Sequence, residues 1–93
     1  KYLDDEEREA AVVLYNSLQL AQDLISDGVR NSQVIKEQML RQFAKEPLAK
    51  VDYVEIVDQN TLEEIEEVTG EILIAVAVYI GETRLIDNLM VTV

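Results

Sequence analysis

Carboxylates are the side chains with the clearest capacity for chemistry in this sequence, which carries 19 Asp and Glu residues against eight Lys and Arg. Four of them cluster at Glu63, Glu64, Glu66 and Glu67. Such a cluster could bind a cation, but a calcium loop needs a tighter ligand pattern with an obligatory glycine. We therefore interpret the cluster as a solvated connection and assign it no role.

Asp87 is a second acidic candidate, because it interrupts an apolar alternation formed by Leu85, Leu89 and Val91. A half-buried carboxylate on an apolar face is either paired and structural or catalytic. No histidine, lysine cluster or second carboxylate lies close to it in the sequence. We therefore expect Asp87 to be structural.

The residue types on which many enzymes depend are missing. Cysteine and histidine are absent, which excludes disulfides, Cys/His zinc sites, Cys or Ser–His nucleophiles and histidine acid–base catalysis in these residues. The glycines Gly28, Gly70 and Gly81 are widely separated. The chain therefore contains neither of the glycine-rich motifs that bind phosphate groups, G-x-x-x-x-G-K-[ST] and G-x-G-x-x-G. We predict no catalytic, cofactor-binding or metal-binding residue in this chain.

Length and charge narrow the class of protein further. Ninety-three residues suffice for one domain, and a formal charge of −11 repels phosphate backbones and anionic lipids, so we expect neither nucleic-acid nor membrane binding. The longest apolar run, Ile72–Ile80, falls short of the roughly 20 residues of a membrane-spanning helix, which predicts a soluble protein. Because the chain starts at Lys1 without an initiator Met or signal-like segment, we expect a piece of a longer cytoplasmic polypeptide.

Two amphipathic helices are predicted in the first half of the chain. Asp4 and Glu7 have the spacing of a capping box, and Asp27-Gly28 is typical of a helix end. Asn31 can cap a second helix that runs antiparallel to the first. This helix must end before Pro47, because proline cannot continue it. Their buried stripes should be Ala10, Ala11, Leu14, Leu18, Ala21 and Ile25 in the first helix, and Ile35, Met39, Leu40, Phe43 and Ala44 in the second.

Three strands are predicted in the second half. Lys50–Asp58 is rich in β-branched residues, and Glu71–Val93 reads as a hairpin that turns at Gly81-Glu82. Between them, Asn60–Leu62 indicates a turn or a single helical turn, with Thr61 and Glu64 as a possible capping box. The predicted fold class is α+β, with two antiparallel helices packed on one face of a three-stranded antiparallel sheet.

The two faces of the hairpin differ in bulk. Ile72, Ile74, Val76, Val78 and Ile80 share one face, which Leu85, Asp87, Leu89 and Val91 join across a two-residue turn. We expect the helices to cover this bulky face. The other face carries Leu73, Ala75, Ala77 and Tyr79 with Arg84, Ile86, Asn88 and Met90, and two helices are too few to cover it as well.

Four segments carry a family resemblance: Tyr2-Leu3 before the first helix, Val51–Asp58 (VDYVEIVD), Thr61-Leu62, and Thr83–Asn88 (TRLIDN). In this order they resemble the carboxy-terminal domain of the pantothenate synthetase family, over nearly all 93 residues. The Val51–Asp58 and Thr83–Asn88 segments are fairly specific together and weak alone. Asp4 stands where that family usually has Ser, and both residue types can cap a helix.

The resemblance implies an ATP-dependent ligase that joins pantoate to β-alanine through a pantoyl-adenylate and releases AMP and pyrophosphate. It places ATP with Mg and both substrates mainly in a larger amino-terminal Rossmann-like domain, and implies a homodimeric parent enzyme. The domain at hand would be a lid that closes over that domain and shields the adenylate from water. No ATP- or pantoate-contacting motif maps onto residues 1–93, so the resemblance assigns no catalytic residue and implies that this piece alone is inactive.

Two other interpretations remain open. In the first, the chain is a stand-alone interaction module whose acidic surface binds a basic partner and whose exposed sheet face or edge recruits another strand. In the second, it is a dimerisation domain that pairs through the alanine-containing face. Val12, on the polar side of the first helix, is either an ordinary exposed side chain or a contact with another domain.

Overall fold

The computed structural model describes residues 4–93 and contains two helices followed by three strands. The helices are α1 (Asp5–Ser26) and α2 (Ser32–Ala44), and the strands are β1 (Ala49–Asp58), β2 (Glu71–Ile80) and β3 (Thr83–Thr92). The strands form one antiparallel sheet in the order β1-β2-β3, with both helices packed against it. The predicted α+β class is confirmed, and β1 begins one residue earlier than predicted.

Local hydrogen bonds define where the helices begin. The backbone N–H of Glu7 donates to Oδ1 of Asp4 at 2.8 Å, and the backbone N–H of Asp4 donates to Oε1 of Glu7 at 3.2 Å, which confirms the capping box. The Asn31 side chain accepts from the backbone N–H of Val34 at 3.1 Å and caps α2, as predicted. Gly28, just after α1, has a φ of 99°, a conformation that glycine adopts without strain.

The core lies between the helices and the bulky face of the sheet. Ile35, Met39 and Phe43 of α2 are at most 1% exposed, and they belong to one apolar cluster with Ile74 and Val76 of β2. Leu40 and Ala44 are exposed, so the predicted stripe of α2 was too wide. In α1, by contrast, Ser17 is buried although the predicted stripe did not include it, and its hydroxyl is satisfied by donating to the carbonyl of Leu14 at 2.8 Å.

The hairpin has the predicted register. Ile80 pairs with Thr83 across the two-residue turn Gly81-Glu82, and Val78 pairs with Leu85 further along. Gly81 has a φ of 61°, as tight hairpin turns require. The register places Leu85, Asp87, Leu89 and Val91 on the same face as the buried residues of β2.

A β-bulge at Asp52 was not predicted. Val51 pairs with Val78 and Tyr53 pairs with Ala77, so Asp52 is an extra residue in β1. The bulge reverses the alternation: Val51 and Val54 both lie on the helix side of the sheet, although they are an odd number of residues apart. Asp52 itself is left with an exposed side chain.

A turn, not a helix, follows β1. The backbone N–H groups of Asn60 and Thr61 donate to Oδ1 of Asp58 at 2.8 and 3.0 Å. The Thr61–Glu64 capping box is therefore wrong: Thr61 accepts instead from the backbone N–H of Glu63 at 3.3 Å, and no helix starts there. Asp58 organises the turn because its carboxylate bonds to donors two and three residues further on.

Candidate functional site

The sheet face that points away from both helices is the principal candidate surface. We call it the open face; its central members are Leu73, Ala75, Ala77 and Tyr79 of β2, flanked by Tyr53 and Glu55 of β1 and by Arg84, Ile86, Asn88 and Met90 of β3. Ala77 is buried yet does not belong to the core cluster, as expected for a residue on the opposite face. Ile86 and Met90 are 57% and 62% exposed. The prediction that the helices leave this face uncovered is confirmed.

An ion pair crosses the open face. Arg84 of β3 donates from Nε at 3.1 Å and from Nη2 at 2.9 Å to the same oxygen, Oδ2 of Asp52. The two residues lie on the outer strands, so the Arg84 side chain reaches across β2. Its guanidinium carbon lies 5.9 Å from the centre of the Tyr53 ring, within the range of a cation–π contact. Ala77, the register partner of Tyr53 and Ile86, keeps this crossing free of a bulky side chain.

The ion pair with Asp52 also affects the ionisation of Arg84. Hydrogen bonding to Asp52 is the main reason that the pKa of Arg84 is raised above its ordinary value, and the charge of Asp52 acts in the same direction. The guanidinium is therefore held in its charged form, with two of its N–H donors already used inside the domain. Arg84 is a fixed part of the surface rather than a free anion-binding cation.

Sequence reasoning placed Arg84 on the correct face but missed its partner. Asp52 becomes available because the bulge takes it out of the regular pairing with β2. A signal that could have pointed to the pair is its place in the two segments that carry the family resemblance, since Asp52 lies in Val51–Asp58 and Arg84 in Thr83–Asn88. The ion pair joins these two segments in space.

Asp87 lies on the predicted face, opposite Val76, but it is exposed and not half-buried. The expectation of a half-buried carboxylate is wrong because β3 is the edge of the sheet, where a side chain on the helix side can still reach water. Its Oδ1 accepts a hydrogen bond from the backbone N–H of Asn88 at 2.8 Å. This local contact gives Asp87 a structural setting without a catalytic partner.

The acidic connection is tied to the start of α2 by its backbone. The N–H of Ser32 donates to the carbonyl of Glu66 at 2.8 Å, and the N–H of Val68 donates to the carbonyl of Arg30 at 2.8 Å. The side chains of Glu63, Glu64, Glu66 and Glu67 are all exposed, which confirms a solvated connection. Across residues 4–93, acidic side chains do not converge in any group of three or more suited to a metal ion.

A groove between this connection and α2 is a concave feature that could suggest a site. Asn31, Ser32 and Gln33 line it on one side, and Glu64, Ile65 and Glu66 on the other. The Ser32 hydroxyl donates its proton to the carbonyl of Ile65, so it is hydrogen-bonded to the backbone and not to a base that could activate it. Its acidic wall also disfavours anions, so the groove is best explained by how the connection packs.

Taken together, these features suit contact rather than reaction chemistry. The open face combines exposed apolar side chains with a fixed ion pair, an arrangement typical of binding surfaces. In the part of the chain that the structure covers, neither helix has the length and apolar character needed to span a membrane.

Comparison with known proteins gives a consistent result. The family model described as pantoate-beta-alanine ligase matches residues 1–90. The pantothenate synthetase of Clostridium acetobutylicum is 51% identical over 87 residues, which are 94% of this chain and 31% of that protein. That of Caldicellulosiruptor saccharolyticus is 49% identical over 92 residues, 99% of this chain and 33% of that protein.

Solved structures agree with the sequence comparison. The crystal structure of pantothenate synthetase from Thermus thermophilus superposes with a TM-score of 0.86 at 30% identity, over 95% of this chain and 32% of that one. The chain thus spans about a third of the length of the relatives that it matches. Tyr2-Leu3, one segment of the resemblance, lies outside the described residues. The family model matches both helices, the first two strands and β3 as far as Met90, and the chain belongs to the pantoate-beta-alanine ligase family.

Proposed function

We propose that this chain is the carboxy-terminal domain of a longer pantoate–β-alanine ligase, called here the parent ligase. The parent ligase uses ATP to join pantoate to β-alanine and releases AMP and pyrophosphate, through a pantoyl-adenylate. The observation that carries the proposal is the family match along residues 1–90, together with relatives that are about three times as long. The parent ligase is a cytoplasmic homodimer in this proposal.

The described residues do not fit an ATP–Mg site. Their glycines stand singly, their acidic side chains do not converge on a cation, and Arg84 on the open face is engaged by Asp52. We therefore assign ATP, Mg and both substrates to the amino-terminal Rossmann-like domain of the parent ligase. The 93 residues alone are inactive.

The role of this domain is that of a lid. An acyl adenylate reacts with water, so a ligase that forms one gains from a cover that excludes solvent until β-alanine attacks. A small domain with a rigid core and one uncovered sheet face has the form that such a cover needs. Nothing in this role requires a catalytic side chain from residues 4–93.

Product analysis tests the division of labour. The parent ligase should form pantothenate and AMP in equal amounts from ATP, pantoate and β-alanine, whereas the 93-residue chain should form neither. Turnover by the chain alone would refute the assignment of the active site to the other domain. If the parent protein makes no pantothenate, the proposed ligase activity is refuted.

The lid has a separate test. A parent ligase truncated before Asp4 should release more AMP than pantothenate, because the uncovered adenylate is lost to water. The full-length enzyme, assayed in parallel, is the control. The proposed lid role would be contradicted if the truncated enzyme released AMP and pantothenate in equal amounts. It would also be contradicted if the truncated enzyme formed no adenylate.

A further inference from the structure

Glu7 is an acidic residue on the side of α1 that faces the sheet. Ala10 and Leu14, three and seven residues later, lie on the same side of the helix and are buried in the core. Glu7 itself is half-buried. Its neighbours on α1 are exposed, namely Asp5, Glu6, Arg8 and Glu9. Because removing water from a carboxylate is costly, its position calls for a specific explanation.

The Glu7 carboxylate lies between the capping box and the turn that joins β2 to β3. Its Oε1 accepts a hydrogen bond from the backbone N–H of Asp4 at 3.2 Å. Its Oε2 lies against Gly81, so close that a Cβ atom at position 81 would overlap it, and Cδ of Glu7 would lie 3.4 Å from that Cβ atom. The two oxygens of one carboxylate therefore contact the start of α1 and the tip of the hairpin.

Gly81 is required at this turn for two reasons. Its φ of 61° favours glycine, and its missing side chain leaves the space that Glu7 occupies. The turn is also held from a second direction, since the N–H of Gly81 donates to the carbonyl of Leu48, just before β1, at 3.4 Å. The hairpin tip is thus fixed between two other segments of the domain.

We propose that Glu7 and Gly81 form a joint that couples the first turn of α1 to the β2–β3 turn, so that a displacement of either one moves the other. The Glu7–Gly81 joint is a conformational device of the domain itself. In the parent ligase it sets the direction in which the chain that precedes Asp4 leaves the sheet, a consequence that rests on the proposed function.

The coupling follows from close packing. Glu7 and the Gly81 backbone leave less space between them than a methyl group needs, so the turn cannot move towards α1 without displacing the Glu7 side chain. The side chain cannot turn away freely, because it would give up the hydrogen bond that Oε1 accepts from Asp4. A shift of the turn is therefore passed to the capping box.

A double-mutant cycle of E7A and G81A, measured by urea denaturation of the 93-residue chain, tests the joint. G81A strains the backbone and also forces a methyl group against Glu7. In the E7A background only the strain remains. We expect G81A to reduce the folding equilibrium constant at least about fivefold less in E7A than in the unmodified chain. Should G81A fail to fold, E7A should restore folding to it.

G70A is the matched control for this cycle. Gly70 also has a positive φ, 72°, and precedes the other end of β2, but no atom of residues 4–93 would lie within 4 Å of a Cβ there. G70A therefore adds strain without a contact, and its cost should be the same with and without E7A. The joint would be overturned if E7A and G81A acted additively, or if E7A relieved G70A as much as G81A.

Hydrogen exchange followed by NMR tests whether the change reaches α1. In the unmodified chain the N–H of Glu7 is bonded to Oδ1 of Asp4, and the N–H of Val34 is bonded in the same way to Asn31 at the start of α2. G81A should speed exchange at Glu7 but not at Val34, and G70A should leave both rates unchanged. Equal acceleration at Glu7 and Val34, or none at Glu7, would contradict the coupling.

These measurements separate the joint from the function of the parent ligase. They use the 93-residue chain, so a negative result refutes the joint without bearing on ligase activity. Absence of pantothenate synthesis by the parent ligase, in turn, refutes the proposed function and not the contact between Glu7 and Gly81.

Discussion

The guanidinium of Arg84 and the carboxylate of Asp52 meet across the central strand of the sheet, with Nη2 and Nε at 2.9 and 3.1 Å from one oxygen. The pair links β3 to β1, which make no ladder hydrogen bonds with each other. Sheet neighbours are about 4.8 Å apart, so only a side chain as long as arginine can span two such gaps. The small side chain of Ala77 leaves the path open.

We expect the Arg84–Asp52 coupling to be salt-dependent. A double-mutant cycle of R84Q and D52N, measured by urea denaturation of the 93-residue chain, should give a favourable coupling at low salt that fades towards 1 M NaCl, where the Debye length is about 3 Å. The coupling should be small compared with the whole stability, because both side chains are partly exposed.

R84K is the matched control for this cycle. Lysine retains the charge but presents a single donor group in place of the guanidinium fork, so it should recover only part of the coupling. A coupling that is unchanged by salt, or fully restored by lysine, would contradict the geometry of the pair.

Asp58 should make stability depend on pH. Its pKa is lowered because the backbone N–H groups of Thr61 and Asn60 donate to its carboxylate. A lowered pKa in the folded state means that the contribution is complete above the unfolded value of about 4 and is lost as the pH falls through the folded value. D58N should therefore be less stable than the unmodified chain near pH 7, and the difference should vanish in strong acid.

Urea denaturation at a series of pH values would measure this difference. E64Q, which removes one negative charge at an exposed carboxylate of the same connection, is the control. A D58N deficit that persists unchanged at pH 2 would show that the Asp58 carboxylate does not hold the turn.

The two faces of the sheet should differ sharply in their tolerance to substitution. Ile74 is fully buried beneath the helices, so I74A should lower the free energy of unfolding by about 2–5 kcal/mol. Ile86 is 57% exposed on the open face, and I86A should cost less than about 1 kcal/mol in the 93-residue chain. Similar costs for the two isoleucine substitutions, measured by denaturation, would contradict the assignment of the faces.

The structural features of this domain that follow a regular side-chain period could be predicted from the sequence, and an irregular one could not. The pairing of Val78 with Leu85 could be predicted because a two-residue turn and a two-residue side-chain period leave one register that buries the bulky face. The bulge at Asp52 could not, since one extra residue in β1 leaves no mark on composition. The open face was therefore predicted, and the ion pair that crosses it near the hairpin turn was not.

The sequence also does not predict whether a side chain at the edge of the sheet is covered or exposed. Alternation placed Asp87 on the correct face, but strand order decides whether that position is covered. Leu40 illustrates the same limit in a helix: its spacing fits the apolar stripe, yet the width of the stripe depends on what packs against it. Neither piece of information is contained in local spacing.

Asp87 should protect the edge of the sheet from pairing with other chains. β3 is an edge strand of ten residues, and Asp87 lies near its middle, on the helix side and exposed. A strand from another copy that paired there would bring a second sheet edge against this charge and desolvate it. We expect D87V to make the 93-residue chain self-associate at concentrations at which the unmodified chain is monomeric, as measured by light scattering coupled to size-exclusion chromatography.

D87K separates edge protection from simple repulsion between acidic chains. It lowers the net negative charge by more than D87V does, so a mechanism based on overall charge predicts that D87K associates more strongly. Protection by a charge at this position predicts the opposite, because lysine on an edge strand blocks pairing as well as aspartate does. A monomeric D87K beside an associating D87V would therefore assign the effect to position 87, whereas association of both, or of neither, would contradict it.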